Sequence, residues 1–309
     1  MSTVITTRVD VDIVNTLNQS KVTVVGVGSV GSYVAEQLVR TGVRNLTLVD
    51  HDIVSSANLS RTPFVTSDIG HNKVSALSSR LSAITDCHVT TYSSKLDEID
   101  TEALRTIFDE SDLIVAATDD PETQSAINRL SHHADVAVVY IGLYQAALGG
   151  EVIMTVPGLT PCYSCQTGGR RNVINREDDR HLDYGTHRLK GVVALGCDIQ
   201  YVSAAGVRLC VGLLCALGEE NNSALSNFML NALSKGCSYL TSSMSDTGPL
   251  APLYDQIFER TPGQFAFQSA WITASASETC NVCGNAESGE DPFTYYKPTP
   301  HVSKFLLHT

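Results

Sequence analysis

The first half of the chain alternates short β-branched apolar runs with segments whose apolar residues recur at helical spacing, as Val30, Val34 and Leu38 do. Alternation of this kind favours a doubly wound α/β fold, in which helices cover both faces of a mostly parallel sheet. The predicted order is strand Lys21–Val25, helix Ser29–Thr41, strand Leu46–Val49, helix Lys73–Ile84, strand His88–Tyr92, helix Thr101–Phe108, strand Leu113–Ala117 and helix Pro121–His133.

The pattern changes after Tyr140. Strands are predicted at Glu151–Val156 and Gln264–Ala274, and we expect them to add antiparallel strands to the sheet. Asp198–Gly218 is predicted to be one long helix that is apolar almost all round, so it should be buried or lie at a subunit interface. A length of 309 residues allows two domains, but α/β folds of this length often form one, and we expect a single domain.

Composition narrows the class of protein. The net charge of -12 argues against nucleic-acid binding, which relies on Lys and Arg to neutralise phosphates. The polar N-terminus lacks the apolar segment of a signal peptide, and no run of about 18 apolar residues predicts a membrane span. Nine cysteines, an odd number that falls partly in apolar stretches, do not suggest a disulfide framework. We therefore expect a cytoplasmic enzyme.

Four of the cysteines form two CxxC pairs, Cys162/Cys165 and Cys280/Cys283. Each pair has the spacing that lets a tight turn present two thiolates to one tetrahedral Zn²⁺. Two pairs fill the coordination shell, which predicts a structural zinc rather than a catalytic one. The alternatives are two redox dithiols or disulfides in a secreted protein.

A glycine-rich motif, Gly26-x-Gly28-x-x-Gly31, falls between the first predicted strand and helix. In a Rossmann-like fold this motif brings backbone amides close to a phosphate at a helix N-terminus. Asp50 ends the next strand and suits a ribose hydroxyl, which makes NAD a natural ligand to consider.

Further along, two cations and a carboxylate favour a different nucleotide. Arg61 and Lys73 follow soon after Asp50, and Asp119 ends a later strand. Taken singly, each cation could be a solvated surface charge. Together with Asp119 they favour a triphosphate and Mg²⁺, because the metal needs a carboxylate ligand and a departing pyrophosphate needs positive charge.

The order of these motifs resembles the ThiF/MoeB/HesA family of E1-like adenylyltransferases, over about residues 21 to 284. The matching motifs are Val-Asp50-His-Asp52, Asn58-Leu-Ser-Arg61, Gly70-His-Asn-Lys73, Thr118-Asp119-Asp120, Gly149-Gly150, Pro161-Cys-Tyr-Ser-Cys165 and the second CxxC. The resemblance implies ATP-dependent adenylation of the C-terminal carboxylate of a ubiquitin-like or sulfur-carrier protein. In some members the acyl group then passes to an enzyme cysteine.

The resemblance also implies a role for each matching residue. Gly26, Gly28 and Gly31 would hold the nucleotide, Asp50 the ribose, Asp52 and Asn58 the same pocket, Arg61 and Lys73 the phosphates and Asp119 the Mg²⁺, while Asn128 matches a family asparagine. Two departures are Thr62 for a glutamine after the arginine and Gln124 for an arginine after the Thr-Asp pair. Relatives also carry an arginine in an N-terminal helix that reaches the partner subunit's ATP site, and here only Arg8 is available.

The cysteine that would accept the acyl group is the residue that the resemblance defines least. Relatives carry this cysteine in the segment after the first CxxC, and here that segment contains no cysteine. Cys197 follows that segment and directly precedes Asp198 at the predicted start of the long helix, where the helix dipole favours a thiolate. Cys197 is therefore the candidate. The alternative is a small buried hydrophobe like Cys210 and Cys215.

As one adenylation domain, residues 1–309 divide into an N-terminal extension (1–20), a nucleotide-binding half (21–150), a crossover loop (166–196) and a C-terminal tail (285–309). The crossover loop is rich in Arg, Asp and His, so it is either solvated or meets an acidic carrier. The tail could pack on the core, close a dimer or recruit a conjugating enzyme. The family resemblance implies a homodimer.

Three rival functions remain open. The first is adenylation or other modification of a short peptide, as in antibiotic maturation. The second is an NAD-dependent oxidoreductase, against which Arg61, Lys73 and Asp119 argue together. The third is an inactive dimeric scaffold that keeps the fold without the chemistry.

Overall fold

An eight-stranded mixed sheet forms the centre of the computed structural model, which describes residues 9–144, 147–174, 194–218, 223–244, 266–284 and 291–295. The strands are β1 (Lys21–Val25), β2 (Asn45–Val49), β3 (His88–Tyr92), β4 (Leu113–Ala116), β5 (Ala137–Leu143), β6 (Gly149–Thr155), β7 (Tyr239–Ser243) and β8 (Gln268–Ile272). The helices are α1 (Val11–Gln19), α2 (Ser29–Thr41), α3 (Lys73–Ile84), α4 (Thr101–Asp109), α5 (Pro121–His133), α6 (Tyr163–Ile174), α7 (Gly196–Leu217), α8 (Ala224–Ser234) and α9 (Pro292–Tyr295).

The strand order is β3-β2-β1-β4-β5-β6-β7-β8, with β1 to β5 parallel and β6 to β8 antiparallel. The chain runs outward from β1 to β3 and then returns to place β4 on the other side of β1. This reversal makes a switch point at the carboxyl ends of β1 and β4, where open α/β sheets bind their ligands. The predicted doubly wound fold with C-terminal antiparallel strands is confirmed.

Two apolar clusters cover the two faces of the sheet. One contains residues of α2, α3 and α7, and the other contains residues of α4 and α5. Buried strands such as Leu113–Ala116 supply both clusters from alternate positions, which explains their continuous apolar sequence. Both faces are therefore covered, as expected for a doubly wound sheet.

Several elements differ from the sequence prediction. The pattern did not predict α1, β5, α6, α8 or β7, and β8 is shorter than Gln264–Ala274. Helix α1 lies inside the predicted N-terminal extension, where it buries Val14 and Leu17. Helix α6 continues to Ile174, so the first residues of the predicted crossover loop are helical.

Helix α7 is apolar enough over 18 residues, with mean hydropathy 1.6, to cross a membrane by length and composition alone. The sequence has no uninterrupted run of about 18 apolar residues, since Asp198 and Arg208 lie within this helix, but the mean hydropathy of the helix is high enough to pass the test. However, 67% of that window is buried inside the structure. The helix fits tightly on the sheet, since a Cβ at Gly206 would lie 2.3 Å from Cδ1 of Ile141. Burial against the sheet explains its apolar sequence, and burial was one of the two predicted alternatives, the other being a subunit interface.

The short helix α9 fixes part of the C-terminal tail to the core. Phe293 is fully buried and meets Phe108 edge to face at 5.7 Å between ring centroids. The guanidinium of Arg105 lies 4.7 Å from the centre of the same ring and also pairs with Asp291. Of the three predicted roles for the tail, residues 291–295 pack on the core, and residues 296–309 lie outside the described part of the chain.

Candidate active site

The glycine loop connects β1 to α2 at the switch point of the sheet. Gly26 has φ +89°, a conformation that favours glycine, and its N–H donates to the carbonyl of Val49 at 2.9 Å. A Cβ at Gly31 would lie only 1.8 Å from the carbonyl oxygen of Gly26, so any side chain there would force the loop open. Gly26 and Gly31 therefore make the turn itself.

Gly28 has a different place in the same loop. It is the N-cap residue of α2, and no side chain caps the helix there. A Cβ at Gly28 would have no heavy atom within 4 Å. There is thus open space beside Gly28 at the N-terminus of α2, and the first backbone N–H groups of a helix, which have no acceptor within the helix, are groups that bind phosphate.

A chain of hydrogen bonds joins this loop to Lys73. The Asp50 carboxylate accepts from the N–H of Val27 at 2.6 Å and from the N–H of Asp52 at 2.8 Å. The Asp52 carboxylate in turn accepts from Nζ of Lys73 at 2.7 Å. Lys73 opens α3 and is only 7% exposed, so the ion pair with Asp52 offsets the cost of burying its charge. The structure thus brings together three residues predicted to hold the nucleotide.

The environment of Asp52 favours its charged form. Partial burial by itself raises the pKa of Asp52, but the hydrogen bond and charge of Lys73 outweigh it, and the net pKa is lowered. His51 adds a smaller effect in the same direction, with Nε2 3.4 Å from the carboxylate. Asp52 therefore keeps its negative charge beside Lys73 at neutral pH.

Asn58 and Arg61 lie in the turn after β2. The side-chain oxygen of Asn58 accepts from the N–H of Ser55 at 2.8 Å and caps the short turn Ser56–Asn58. Arg61 is half-buried, and its Nε is buried with no hydrogen-bond partner among the described residues. Because a buried guanidinium donor without a partner is costly, an anionic ligand would stabilise this site.

The loop 117–120 carries Asp119 to the same edge of the sheet. The loop rests on the glycine turn, since a Cβ at Gly26 would lie 2.6 Å from the carbonyl oxygen of Ala117. Asp119 is exposed, and no hydrogen bond or ion pair holds its carboxylate in the part of the chain that the structure describes. Carboxylate oxygens are the ligands that Mg²⁺ prefers, and this carboxylate lies beside the glycine loop.

Asn128 lies farther along α5 and contacts a neighbouring helix. It is 1% exposed, its oxygen accepts from the N–H of Tyr163 at 2.9 Å, and its Nδ2 donates to Oγ of Ser164 at 3.1 Å. These bonds hold the N-terminus of α6. The nucleotide contact implied by the family resemblance stays a prediction, and the structure shows in addition that Asn128 packs against α6.

The two CxxC pairs meet in one cluster, although more than a hundred residues separate them in sequence. The four sulfurs lie within 4.8 Å of one another, with 3.6 Å between Cys162 and Cys280 and 3.6 Å between Cys165 and Cys283. A tetrahedral Zn²⁺ about 2.3 Å from each thiolate sets adjacent sulfurs about 3.8 Å apart. The cluster therefore fits zinc and leaves no coordination position open.

Backbone groups around the cluster also suit thiolate ligands. The N–H of Ser277 points at the sulfur of Cys165 at 3.4 Å. Burial by itself raises the pKa of Cys280, but the N–H groups of Cys283 and Val282 outweigh it and lower the pKa to about 7. Burial, with the neighbouring thiols, raises the pKa of Cys283. A divalent cation would favour loss of the proton from all four sulfurs.

Cys197 is exposed in the first turn of α7, which excludes the buried alternative considered from the sequence. Its sulfur lies 3.6 Å from Oδ1 of Asp198. The helix begins directly against the Arg61 turn, because a Cβ at Gly196 would lie 3.1 Å from the carbonyl oxygen of Ser60 and 3.6 Å from Cα of Arg61. The candidate acceptor cysteine thus belongs to the same region as the predicted phosphate-binding arginine.

Some predicted features lie outside the described residues. They are Arg8 and the crossover segment 175–193, with its Arg176, Arg180, His181 and Arg188. Gln124 and Tyr163 were not predicted as site residues, although the departure of Gln124 from the family's arginine marks the position.

Comparisons with known proteins agree with this geometry. A model of the ThiF family matches residues 2–247. Ubiquitin-like modifier-activating enzyme 5 of Drosophila ananassae is 30% identical over 159 residues, covering 48% of this chain and 40% of the relative. The same enzyme of Bombyx mori is 33% identical over 158 residues, with 48% and 40% covered. The chain thus spans about two fifths of the length of these curated relatives.

Solved structures with a similar fold cover more of the chain. Escherichia coli MccB, solved with ATP, superposes with a TM-score of 0.63 at 20% identity, covering 89% of this chain and 69% of MccB. PaaA superposes with a TM-score of 0.58 at 18% identity, covering 84% and 75%. With the family model matching most of its length, this chain belongs to the ThiF family.

Proposed function

We propose that this protein is an ATP-dependent adenylyltransferase that activates the C-terminal carboxylate of a ubiquitin-like or sulfur-carrier protein. The observation that carries the proposal is the meeting of three segments at the uncapped N-terminus of α2. These are the glycine loop, the hydrogen-bonded chain from Asp50 to Lys73 and the loop with Asp119. Membership of the ThiF family and similarity to ubiquitin-like modifier-activating enzyme 5 support it.

In this proposal each segment has one task toward the nucleotide. Asp50 would meet the ribose, with Asp52 and Asn58 beside it. The N–H groups of the first turn of α2, with Lys73 and Arg61, would bind the phosphates, and Asp119 would hold Mg²⁺. The substrate carboxylate attacks the α-phosphorus while the bond to pyrophosphate breaks, so that the protein supplies alignment and charge neutralisation.

We further propose that Zn²⁺ occupies the cluster of Cys162, Cys165, Cys280 and Cys283 and acts only in structure. It would tie the segment after β6 to the segment after β8. The spacing of the four sulfurs supports this role, because a closed set of four thiolates leaves no position for substrate.

A second step would transfer the acyl group to Cys197. The thiolate attacks the acyl carbon, a thioester forms, and the bond to AMP breaks. Exposure of Cys197 and its closeness to the Arg61 turn support this step. If it occurs, Cys197→Ala keeps adenylation but loses the thioester band on a non-reducing gel, and a persisting band would reject the role.

The remaining proposals follow from the family. The protein would act as a cytoplasmic homodimer, and a conjugating enzyme could receive the carrier. The rival substrate is a short peptide, which is favoured by the similarity in fold to MccB, a microcin C7 biosynthetic enzyme solved with N-formylated MccA.

The experiment is ATP/pyrophosphate exchange by the zinc-loaded protein with ubiquitin-like proteins that end in Gly-Gly and with short peptides. Exchange with a folded carrier supports the proposal, and exchange with peptides alone favours the rival. Asp119→Ala should abolish exchange while thermal unfolding stays unchanged, because its exposed carboxylate has no structural partner among the described residues. Binding of NAD in place of ATP would favour an oxidoreductase, and absence of ATP binding would favour a scaffold.

A further inference from the structure

Asp119 has no side-chain partner in the described structure, so its position depends on the backbone of its loop. The carbonyl of Thr118, one half of the peptide group that leads into Asp119, accepts from Nε2 of Gln124 at 2.8 Å. The hydroxyl of Thr118 accepts from the N–H of Asp120 at 3.1 Å. The loop is thus held from both sides of Asp119.

Gln124 is itself fixed by a second bond. The hydroxyl of Tyr163 donates to Oε1 of Gln124 at 2.9 Å. The Thr118 carbonyl can only accept, so the amide nitrogen must face Thr118 and the amide oxygen must face Tyr163. Each bond therefore fixes the orientation that the other requires.

Tyr163 is held firmly enough to serve as the anchor of this bridge. Its ring stacks on Tyr140 with centroids 4.2 Å apart, and its backbone N–H donates to Asn128 at 2.9 Å. It also directly follows Cys162, the most buried cysteine of the zinc cluster. The bridge therefore runs from the anchored start of α6 to the loop of Asp119.

We propose that Gln124, held by Tyr163, is a positioning residue that orients the Asp119 loop for a divalent cation. This inference rests on the proposed function, since it assigns Asp119 to Mg²⁺. Gln124 does not touch the nucleotide in this role and acts through the Thr118 carbonyl. An arginine, which relatives carry here, could donate to that carbonyl and also to the hydroxyl oxygen of Tyr163, so what is specific to glutamine is the bond in which Tyr163 is the donor.

The test measures the Mg²⁺ concentration that gives half-maximal binding of a fluorescent ATP analogue by the full chain. Gln124→Ala should raise it about 5- to 10-fold, the worth of one hydrogen bond that orders the site. Tyr163→Phe keeps the ring stacking and should raise it about 2- to 5-fold, because water can reach Gln124 in part. The double variant should match Gln124→Ala alone, since the two residues act in series.

Tyr201→Phe removes the same hydroxyl from the exposed face of α7 and should leave the Mg²⁺ requirement unchanged. Thermal unfolding of each variant separates a local effect from loss of the fold. A wild-type Mg²⁺ requirement in folded Gln124→Ala, or effects of the two single variants that add in the double, would overturn the bridge. Absence of Mg²⁺-dependent ATP binding in the wild-type protein would instead overturn the proposed function.

Discussion

Two glycines three residues apart in the glycine loop should differ in how far the same added methyl group lowers the stability of the fold. Gly31→Ala places a Cβ 1.8 Å from the carbonyl oxygen of Gly26 and 3.2 Å from Cβ of Ala117. Gly28→Ala places one where no heavy atom lies within 4 Å. The first change therefore tests packing of the turn, and the second tests what occupies the open space.

For Gly31→Ala, the carbonyl of Gly26 must move by more than about 1 Å to restore a normal contact. Overpacking of this kind costs about 1–3 kcal/mol or more, against a gain of about 1 kcal/mol from replacing glycine within a helix. Because the clash at 1.8 Å is with a backbone atom, we take the upper end of this range, so the net loss in the free energy of unfolding is about 2 kcal/mol. ATP binding should fall as well, because the loop is displaced.

For Gly28→Ala, the φ of -81° is negative, so alanine does not have to adopt the left-handed conformation that favours glycine. Alanine is a poorer N-cap than glycine, which destabilises the fold by about 0.5–1 kcal/mol. Alanine also lowers the conformational entropy of the unfolded chain, which stabilises the fold by about 0.4–1 kcal/mol. The free energy of unfolding should change by less than about 1 kcal/mol. Binding of ATP should nevertheless weaken at least about tenfold, because the methyl group occupies the space at the helix N-terminus where the phosphate would approach.

Urea unfolding and calorimetric titration with Mg²⁺ and ATP measure both quantities on the same preparations. Gly168→Ala in α6 is the matched control, since a Cβ there also meets no heavy atom within 4 Å. It should leave ATP binding unchanged. Unaltered ATP binding by Gly28→Ala would refute the placement of the phosphates, and wild-type stability of Gly31→Ala would refute the account of the turn.

Three further predictions concern stability. Phe293→Ala should lower the free energy of unfolding by up to about 3–5 kcal/mol, because the side chain is fully buried. The loss is smaller if α9 detaches from the core while the rest of the protein stays folded. Faster proteolysis near the C-terminus of the folded variant would show that α9 detaches. Cys280→Ser should reduce bound zinc and the melting temperature, as a chelator should in the wild-type protein, and an unchanged zinc content would contradict the ligand set. The ion pair of Asp52 with Lys73 stabilises the fold fully at pH values above 3.8, the ordinary pKa of the carboxyl group. This stabilisation is lost as the pH falls through the lowered pKa of Asp52 in the folded state. In Asp52→Asn the free energy of unfolding should therefore depend slightly less on pH in this acid range.

The elements that the sequence predicted well are those whose signal is local. Ser29–Thr41 and Pro121–His133 have the predicted bounds because helical periodicity and turn residues mark both ends. Strand β5 (Ala137–Leu143) was not predicted, because most of it is buried and its apolar run has no alternation. The C-terminal helix α9 has only four residues, so its place depends on the pocket formed by α4 and α5.

In the candidate site, too, local sequence patterns predicted some features, while others depend on the folded structure. The spacing of the CxxC pairs predicted the cysteine cluster across a long separation, since four thiols in two tight turns satisfy one ion. Asn128 shows what a motif leaves out, because the family resemblance implies a nucleotide contact, which stays a prediction, but not the hydrogen bonds of Asn128 to the start of α6. No local pattern predicts that Gln124 reaches back to the carbonyl of Thr118, because that bond depends on where Tyr163 lies.

The contacts of Tyr163 also bear on what a structural zinc would do in this fold. The four cysteines and the glycine loop are far apart in sequence, yet among the described residues two hydrogen bonds, through Tyr163 and Gln124, link the residue after Cys162 to the loop of Asp119. Loss of zinc should release the start of α6, and with it the hydroxyl that orients Gln124. The metal would then influence the affinity for Mg²⁺ without contacting the nucleotide, because the residue that follows Cys162 also anchors, through Gln124, the loop of Asp119, the proposed cation ligand.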